Sequence, residues 1–297
     1  MEKIEYTSAN GYLRKRFGVK VYKVALDAGF TCPNRDGTLG NNGCIFCSKG
    51  GSGEFAGSRT LSISEQLSTG KAFIKNKLPK EQVRFIAYFQ AFTNTYGPVE
   101  RLRELYLEAA KDTEVCAISI ATRPDCLPKE VLDLLSEINA IKPVFVELGL
   151  QTIHSESAKF IRRGYELPVY DKAVKELKDR GLEVITHVIL GLPNESKEQM
   201  LETVKYVAES GAKGIKLQLL HVLKGTDLCD YYEAGNFNTL TMEEYIDIVC
   251  DCLKLLPKEM VVHRITGDGD KKLLCAPLWS MDKKRVLNEF NRRIVPI

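Results

Sequence analysis

The chain has 297 residues, of which 44% are hydrophobic and 27% are charged, a composition ordinary for a soluble globular protein. Its longest apolar stretches are far too short to span a membrane, and its first residues lack the apolar region of a secretory signal. From these two features we predict a cytoplasmic protein without membrane association. The net charge of +3 is too small to establish a nucleic-acid partner.

Basic residues are concentrated near both ends of the chain. A basic N-terminal segment, residues 1–18, precedes the first predicted strand, and the basic residues in and just after it are Arg14, Lys15, Arg16, Lys20 and Lys23. The C-terminal group consists of Lys271, Lys272, Lys283, Lys284, Arg285, Arg292 and Arg293. Such residues usually form a solvated surface, but they would form an RNA-facing rim if the two ends met in the fold.

Six strand-like runs alternate with helix-like runs over residues 19–225. We predict strands at residues 19–26, 83–89, 115–121, 144–150, 182–190 and 214–220. They are rich in Val, Ile and Phe, and several are apolar almost throughout, which is typical of parallel strands buried on both faces. Pro98, Pro128 and Pro168 can each begin an amphipathic helix between strands, and a fourth helix contains Met200 and ends near Gly211.

This order of elements predicts an α/β fold with a parallel sheet. A closed TIM barrel needs eight βα units, so six units predict an open, partial (β/α)6 TIM-like barrel over residues 19–225. Residues 226–297 are predicted to form an α/β extension packed on the barrel. There, Thr241 and Glu244 form a capping box for a helix through about Leu256, and residues 260–265 form a strand. Functional residues are expected at the C-terminal ends of the barrel strands.

Three of the nine cysteines are clustered, and they follow the first predicted strand. Cys32, Cys44 and Cys47 have the spacing C-x11-C-x2-C, and the residues between them are mostly Gly, Asn, Asp and Pro, which suit a loop. The odd total and the expected reducing compartment argue against a disulfide framework. The remaining cysteines are interpreted as small buried hydrophobic residues: Cys116, Cys126, Cys229, Cys250, Cys252 and Cys275.

The clustered cysteines favour an iron–sulfur cluster and leave zinc as the alternative. Thiolates select both Fe–S clusters and Zn²⁺. A structural zinc site is normally closed by four ligands, and no fourth Cys or His follows Cys47 nearby. Three thiolates on a four-iron cluster leave one iron open, which is a catalytic arrangement at the end of a barrel strand.

The cysteine loop resembles that of the radical S-adenosylmethionine superfamily, although its first gap is longer than in the usual C-x3-C-x2-C signature. The longer gap is similar to that of a subgroup related to the catalytic subunit of Elongator and to oxygen-independent coproporphyrinogen dehydrogenases. Residues 30–37, 88–96 and 263–268 together resemble one bacterial family in that subgroup. The resemblance extends over about residues 5–295.

The resemblance implies a [4Fe–4S] cluster on Cys32, Cys44 and Cys47, with S-adenosyl-L-methionine bound to the open iron through its amino and carboxylate groups. Reductive cleavage would give a 5′-deoxyadenosyl radical that abstracts hydrogen from an unactivated carbon, while the protein positions the cofactor and excludes water. An electron donor such as flavodoxin or ferredoxin is implied as well.

The resemblance also assigns five cofactor-binding residues. Phe46 matches an aromatic residue near the adenine, and Gln90 stands where relatives have a Gly-Gly-Glu turn at the methionine amino group. Gln151 matches a polar contact to the cofactor, and Arg163 an Arg that binds the methionine carboxylate. His187 replaces a ribose-binding Asp. Taken alone, Gln151 could be an ordinary barrel-lining residue, His187 a core histidine and Arg163 a surface cation.

Substrate contacts are expected in the distal half of the chain. The candidates are His221, Lys224, His263, Arg264, Asp268 and Trp279, of which Trp279 could instead belong to the core. The resemblance implies a tRNA partner and an enzyme that converts the 5-carboxymethylaminomethyl side chain of wobble uridine to 5-aminomethyl, and the basic groups fit an RNA partner. The alternatives are a radical enzyme acting on a small-molecule or porphyrin-like substrate, and a zinc-stabilised RNA-binding module.

Overall fold

The computed structural model describes residues 3–51, 53–78, 82–267 and 269–297. Its strands are β1 (Ile4–Tyr6), β2 (Lys20–Leu26), β3 (Val83–Phe89), β4 (Val115–Thr122), β5 (Val144–Gln151), β6 (Glu183–Leu190), β7 (Gly214–Leu219), β8 (Val222–Leu223), β9 (Val261–Arg264), β10 (Leu274–Ala276) and β11 (Ile294–Pro296). Its α-helices are α1 (Ala9–Phe17), α2 (Ile63–Lys77), α3 (Val99–Lys111), α4 (Lys129–Ile141), α5 (Ser155–Phe160), α6 (Leu167–Asp179), α7 (Lys197–Ser210), α8 (Asp227–Glu233), α9 (Met242–Leu255) and α10 (Lys283–Arg293).

The centre of the fold is a parallel sheet of seven strands in the order β2-β3-β4-β5-β6-β7-β9. All six predicted barrel strands are present, and the predicted partial TIM-like barrel is confirmed. The sheet is strongly curved, because Lys23 on β2 reaches Glu147 on β5 at 2.5 Å. In a flat sheet these two strands would lie about 14 Å apart, at about 4.8 Å per neighbouring pair.

The seventh strand comes from the C-terminal part of the chain. The predicted strand at residues 260–265 is β9, and it joins the barrel sheet beside β7 with Gly214 opposite Val261. The capping box of the preceding helix is confirmed as well. The Thr241 backbone N–H donates to Glu244 at 2.8 Å, and the Glu244 backbone N–H donates to the Thr241 hydroxyl at 3.2 Å.

Helix α1 covers the amino end of the barrel. Leu13 packs in a buried cluster with Phe145 and Ile185, which lie near the starts of β5 and β6. The Tyr12 hydroxyl donates to Glu183, the first residue of β6, at 2.8 Å. The clustered cysteines instead follow the carboxyl end of β2. Helix α1 and the cysteine loop therefore lie at opposite ends of the barrel, separated by a strand length of roughly 20 Å.

The two ends of the chain meet, which was the condition for an RNA-facing rim, but the basic residues of the N-terminal group are not gathered on one rim. Strands β1 and β11 pair in parallel, with Ile4 opposite Ile294. Arg16 forms an ion pair with Glu183 at the amino end of the barrel, and Lys23 points into the barrel. The basic residues of the N-terminal group are therefore divided between the closed end and the interior of the barrel. None of the helices in the described ranges is long and apolar enough to cross a membrane.

Candidate active site

A cavity of about 700 Å³ extends from the cysteine loop into the interior of the curved sheet. This volume suits a cofactor or a small ligand. The lining includes all three clustered cysteines, all five predicted cofactor-binding residues and three predicted substrate residues: Cys32, Cys44, Cys47, Phe46, Gln90, Gln151, Arg163, His187, His221, His263 and Arg264. The structure therefore brings most of the predicted site together at the carboxyl ends and the inner face of the strands.

Two candidate substrate residues lie outside this lining. Lys224 has an exposed side chain, and its backbone N–H donates to the Leu273 carbonyl at 2.7 Å where β8 pairs with β10. The Trp279 indole N–H donates to the Leu240 carbonyl at 2.9 Å, and its ring packs against Tyr245. Trp279 therefore belongs to the packing around α9, as its alternative interpretation held. Asp268 lies outside the described residues.

The cysteine loop is held by polar side chains of its own sequence. The Asn34 amide donates to the Arg162 carbonyl at 2.7 Å and approaches the Cys44 sulfur at 3.5 Å. The Arg35 guanidinium donates to the Cys47 carbonyl at 2.9 Å. Gly43 has φ +73°, a left-handed backbone conformation that favours glycine, and it lets the loop turn beside Arg35.

The three loop sulfur atoms converge on one cavity, but they do not all lie within 4.8 Å of one another. Ligands about 2.3 Å from one Zn²⁺ can be at most about 4.6 Å apart. Within the described ranges, the ligand atoms of Cys229, Glu233 and Cys275 all lie within 4.8 Å of one another, but those of the three loop cysteines do not. The loop thiols nevertheless converge on one cavity, as the ligands of a [4Fe–4S] cluster must.

Arg123 is a cavity-lining residue that the sequence analysis missed. It follows β4, and its Nε and Nη2 donate to the two carboxylate oxygens of Asp125 at 2.9 and 2.7 Å. Although burial opposes it, this carboxylate raises the pKa of Arg123, and Cys32 and Cys44 contribute in the same direction. Arg123 thus brings a permanent positive charge to the cysteines. Its sequence signal was its place two residues after the predicted strand at residues 115–121.

Arg163 is buried and holds the backbone that follows β5. Its Nη1 donates to the carbonyls of Thr152 at 2.6 Å and Leu150 at 3.2 Å, and its Nε donates to the Tyr165 carbonyl at 3.0 Å. Burial lowers the pKa of Arg163. The surface-cation alternative is therefore wrong, because the side chain is only 2% exposed. Its contact with a methionine carboxylate stays a prediction.

Glu147 is the centre of a polar network inside the sheet. Its carboxylate accepts hydrogen bonds from Ser119 at 2.5 Å, His187 at 2.7 Å and Lys23 at 2.5 Å, and it forms a further ion pair with Lys216. The two lysines were missed in the sequence analysis. Their signal was a charged residue at an alternate position within an otherwise apolar strand.

The charges of this network follow from burial and from the neighbouring groups. Although burial opposes it, Lys216 and Lys23 hold the pKa of Glu147 well below its usual value. Burial, followed by the Lys216 charge, lowers the pKa of His187 to about 4, so this imidazole is neutral. Burial lowers the pKa of Lys216 to about 7, against the attraction of Glu147. His187 also accepts from Gln218 at 3.3 Å, so both of its ring nitrogens are engaged within the protein.

Comparison with known proteins shows that both halves of the chain match family models of the same kind of protein. Residues 37–207 match the Radical SAM superfamily, and residues 212–295 match the Radical_SAM C-terminal domain. The protein YtqA of Bacillus subtilis (strain 168) is 48% identical over 291 residues, which are 97% of this chain and 89% of YtqA. The tRNA uridine(34) acetyltransferase of Methanocaldococcus jannaschii is 33% identical over 156 residues, which are 51% of this chain and 28% of that protein.

The same fold occurs in a solved structure of the archaeal Methanocaldococcus infernus Elp3 with an N-terminal deletion (1–46). The two structures agree with a TM-score of 0.68 at 19% identity, and the match covers 92% of this chain and 63% of that chain. Members of this group bind a [4Fe–4S] cluster and S-adenosylmethionine, which the three cysteines and the adjoining cavity fit. The chain therefore belongs to the radical S-adenosylmethionine superfamily and is a radical enzyme related to Elp3.

Proposed function

We propose that this enzyme acts on the wobble uridine of tRNA and shortens its 5-carboxymethylaminomethyl side chain to 5-aminomethyl. The observation that carries the proposal is the 33% identity, over about half of the chain, to an enzyme named for its action on tRNA uridine 34. That alignment covers only part of the chain, so the substrate side chain rests on the family resemblance and on the chemistry of the cavity. Action on tRNA is consistent with the expected cytoplasmic location.

The cavity can present a substrate carbon to radical chemistry. When bound at the three cysteines, the cluster and S-adenosylmethionine supply a 5′-deoxyadenosyl radical. Hydrogen abstraction from the carboxymethyl carbon beside the amine would give a carbon radical. Loss of one electron from this radical to an acceptor, such as the oxidised cluster, would give an iminium, and addition of one water would break the C–N bond and release glyoxylate and the 5-aminomethyl group. The protein has to hold that carbon in place and shield the radical from bulk solvent, to which α1 contributes by closing the amino end of the barrel with Leu13 in the cavity wall. A flavodoxin or ferredoxin is the electron donor that we propose.

The cavity mouth has features that suit an unstacked base of an anticodon loop. A base inside the stem or loop stack cannot reach an interior cavity, so the wobble uridine has to turn outwards. Phe55 lines the cavity and is 57% exposed, which offers an aromatic face to a base. The exposed Lys271 and Lys272 directly follow Asp270, which also lines the cavity, and they can contact the phosphates.

The experiment has a cellular part and a reconstituted part. Deletion of the gene should remove 5-aminomethyluridine and its derivatives from tRNA and leave the carboxymethylaminomethyl form, as measured by nucleoside mass spectrometry. The anaerobically reconstituted enzyme, with S-adenosylmethionine and dithionite, should convert tRNA from the deletion strain and release 5′-deoxyadenosine. Identical nucleoside profiles in the two strains would refute the proposal. Activity on a porphyrin or another small molecule, but not on tRNA, would establish the alternative.

A further inference from the structure

The inner part of the cavity is unusually rich in ionisable groups. Six of the seven sheet strands each contribute one such side chain from within the strand, deeper in the barrel than the cysteine loop. These residues, which we call the cavity floor, are Lys23, Tyr88, Glu147, His187, Lys216 and His263. Barrel interiors are normally filled by branched apolar residues. A polar layer at this depth therefore requires a specific explanation.

The cavity floor carries more positive than negative charge. Lys216 is only 5% exposed, and both its ammonium and that of Lys23 contact the same carboxylate, that of Glu147. Within the described part of the chain, no second carboxylate lies within 4.0 Å of either ammonium. A buried charge is costly unless it is compensated. When both lysines are protonated, one carboxylate for two ammoniums satisfies one ion pair and leaves one positive charge in excess, and the Lys216 pKa of about 7 makes this the main state below pH 7.

His263 adds a second, independent observation. Its Nδ1 is inaccessible to solvent and has no hydrogen-bond partner among the residues that the structure describes. Burial holds the pKa of His263 well below its usual value, so the ring is neutral and one of its nitrogens carries a hydrogen. Buried polar atoms in native proteins almost always have a partner. The unpaired nitrogen shows that the polar groups of the cavity floor are not fully satisfied by one another in the part of the chain that the structure describes.

We propose that the cavity floor binds the carboxylate of the substrate side chain, with Lys216 and Lys23 as its ligands. This inference rests on the proposed function. Glu147 acts as the positioning residue, because it contacts both ammoniums and holds them towards the cavity. A bound carboxylate supplies the missing negative charge, and ammonium–carboxylate hydrogen bonds are among the strong ones.

The same charges allow the cavity floor to distinguish the substrate from the product. The 5-carboxymethylaminomethyl group ends in a carboxylate, whereas the 5-aminomethyl product ends in a protonated amine. The excess positive charge of the cavity floor attracts the first and repels the second. With the carboxylate at the floor and the uracil ring at the mouth, the carbon beside the amine lies between them. The cavity floor thus sets the specificity for the acidic side chain and favours release of the shortened one.

The test compares two RNA stem-loops that differ only at the wobble uridine, which carries either 5-carboxymethylaminomethyl or 5-aminomethyl. Because the phosphates are the same, the ratio of the two dissociation constants with anaerobically reconstituted holoenzyme isolates the carboxylate. We expect wild-type enzyme to prefer the carboxylate-bearing RNA by about 10- to 100-fold, as for a hydrogen bond to a charged group. Lys216→Met should abolish this preference, and Lys216→Arg should keep most of it. Lys213→Met is the control, because Lys213 is exposed and directly precedes β7.

The outcomes separate this inference from the proposed function. If wild-type enzyme converts the modified tRNA but Lys216→Met keeps the full preference, the carboxylate site is wrong and the proposed function stands. If wild-type enzyme binds neither stem-loop, or binds them but converts neither, both are wrong. If Lys216→Met loses its native circular dichroism or its iron, Lys23→Met replaces it, since the Lys23 side chain is 26% exposed. An unchanged preference in Lys23→Met then overturns the inference.

Discussion

The carboxylate of Glu147 on β5 and the ammonium of Lys216 on β7 form an ion pair across the inside of the curved sheet, with β6 between their strands. Both side chains are almost completely withdrawn from solvent, at 0% and 5% exposed. In such a pair the mutual attraction offsets a large loss of hydration. Removal of one partner leaves the other as an uncompensated buried charge. The loss of one partner should therefore cost more stability than the intact pair contributes, which leads to a stability prediction.

Glu147→Gln should lower the free energy of unfolding by about 3–5 kcal/mol at pH 7, the usual cost of breaking a buried ion pair. Urea denaturation followed by circular dichroism measures the change. Glu104→Gln is the matched control, because Glu104 forms an ion pair with Arg101 on the surface of α3. Its effect should stay below about 1 kcal/mol. Equal effects of the two substitutions would show that the interior pair has no special role in stability.

The preference for the carboxylate-bearing RNA should depend on pH through Lys216. Burial lowers the pKa of Lys216 to about 7, so its ammonium is present below that pH and is lost above it. The preference should be full near pH 6 and should fall by up to about 10-fold per pH unit above pH 7. The fall should end where the pH reaches the pKa of Lys216 in the RNA complex, which the bound carboxylate raises. The same two stem-loops, measured between pH 6 and pH 9, provide the test.

The groups that face Lys216 should not interfere with this measurement. Arg264 adds a positive charge that favours the neutral lysine. Glu147, His187 and His263 have pKa values lowered away from this range, and the pKa of Tyr88 is raised well above its usual value, chiefly by burial. The groups around the ammonium, from every strand that packs against it, are Lys23, Tyr88, Glu147, His187, His263 and Arg264. A preference that stays constant from pH 6 to pH 9 would contradict a charged Lys216 at the carboxylate.

Cys44→Ala should abolish cluster binding and radical formation. Two thiolates cannot hold a four-iron cluster as three do. Iron content and visible absorbance after anaerobic reconstitution should drop strongly, and 5′-deoxyadenosine should fall to the level of a protein-free mixture. Cys250→Ala on α9 is the control, because Cys250 is buried away from the cavity. This variant should retain both its iron and the formation of 5′-deoxyadenosine. Loss of iron in both variants would point to a general folding defect.

Charge reversal at the cavity mouth should weaken tRNA binding more than charge reversal at the closed end of the barrel. We expect Lys271→Glu with Lys272→Glu to reduce affinity and to reduce the salt dependence of log Kd by about 1 to 2. The control is Arg14→Glu with Lys15→Glu, which makes the same charge change on α1. Nitrocellulose filter binding at several salt concentrations distinguishes the two pairs. A larger effect on α1 would place the RNA at the opposite end of the barrel.

The barrel strands were predictable because strands covered on both faces are apolar throughout, as Val144–Gln151 is except at a few positions. The cysteine loop was predictable because its chemistry is local. The inward-pointing Lys23 and Lys216 were harder to predict. The alternation of side chains along a strand separates its two faces but does not tell which face lines the inside of the barrel. Strand β9 was predicted, but its place beside β7 depends on long-range pairing. The sequence left Trp279 open between the substrate pocket and the core, because its neighbours, Leu240 and Tyr245, are far away in sequence.

The pairing of β1 with β11 joins the two ends of the chain next to α1, and its consequence concerns the order of assembly. The Ser8 backbone N–H donates to the Ile297 carbonyl at 3.0 Å, and Lys3 donates to the Asn291 carbonyl across a separation of 288 residues. On the ribosome, α1 emerges before every barrel strand and β11 after all of them. The β1–β11 contact beside α1 can therefore form only after all seven barrel strands and the three cysteines have been made.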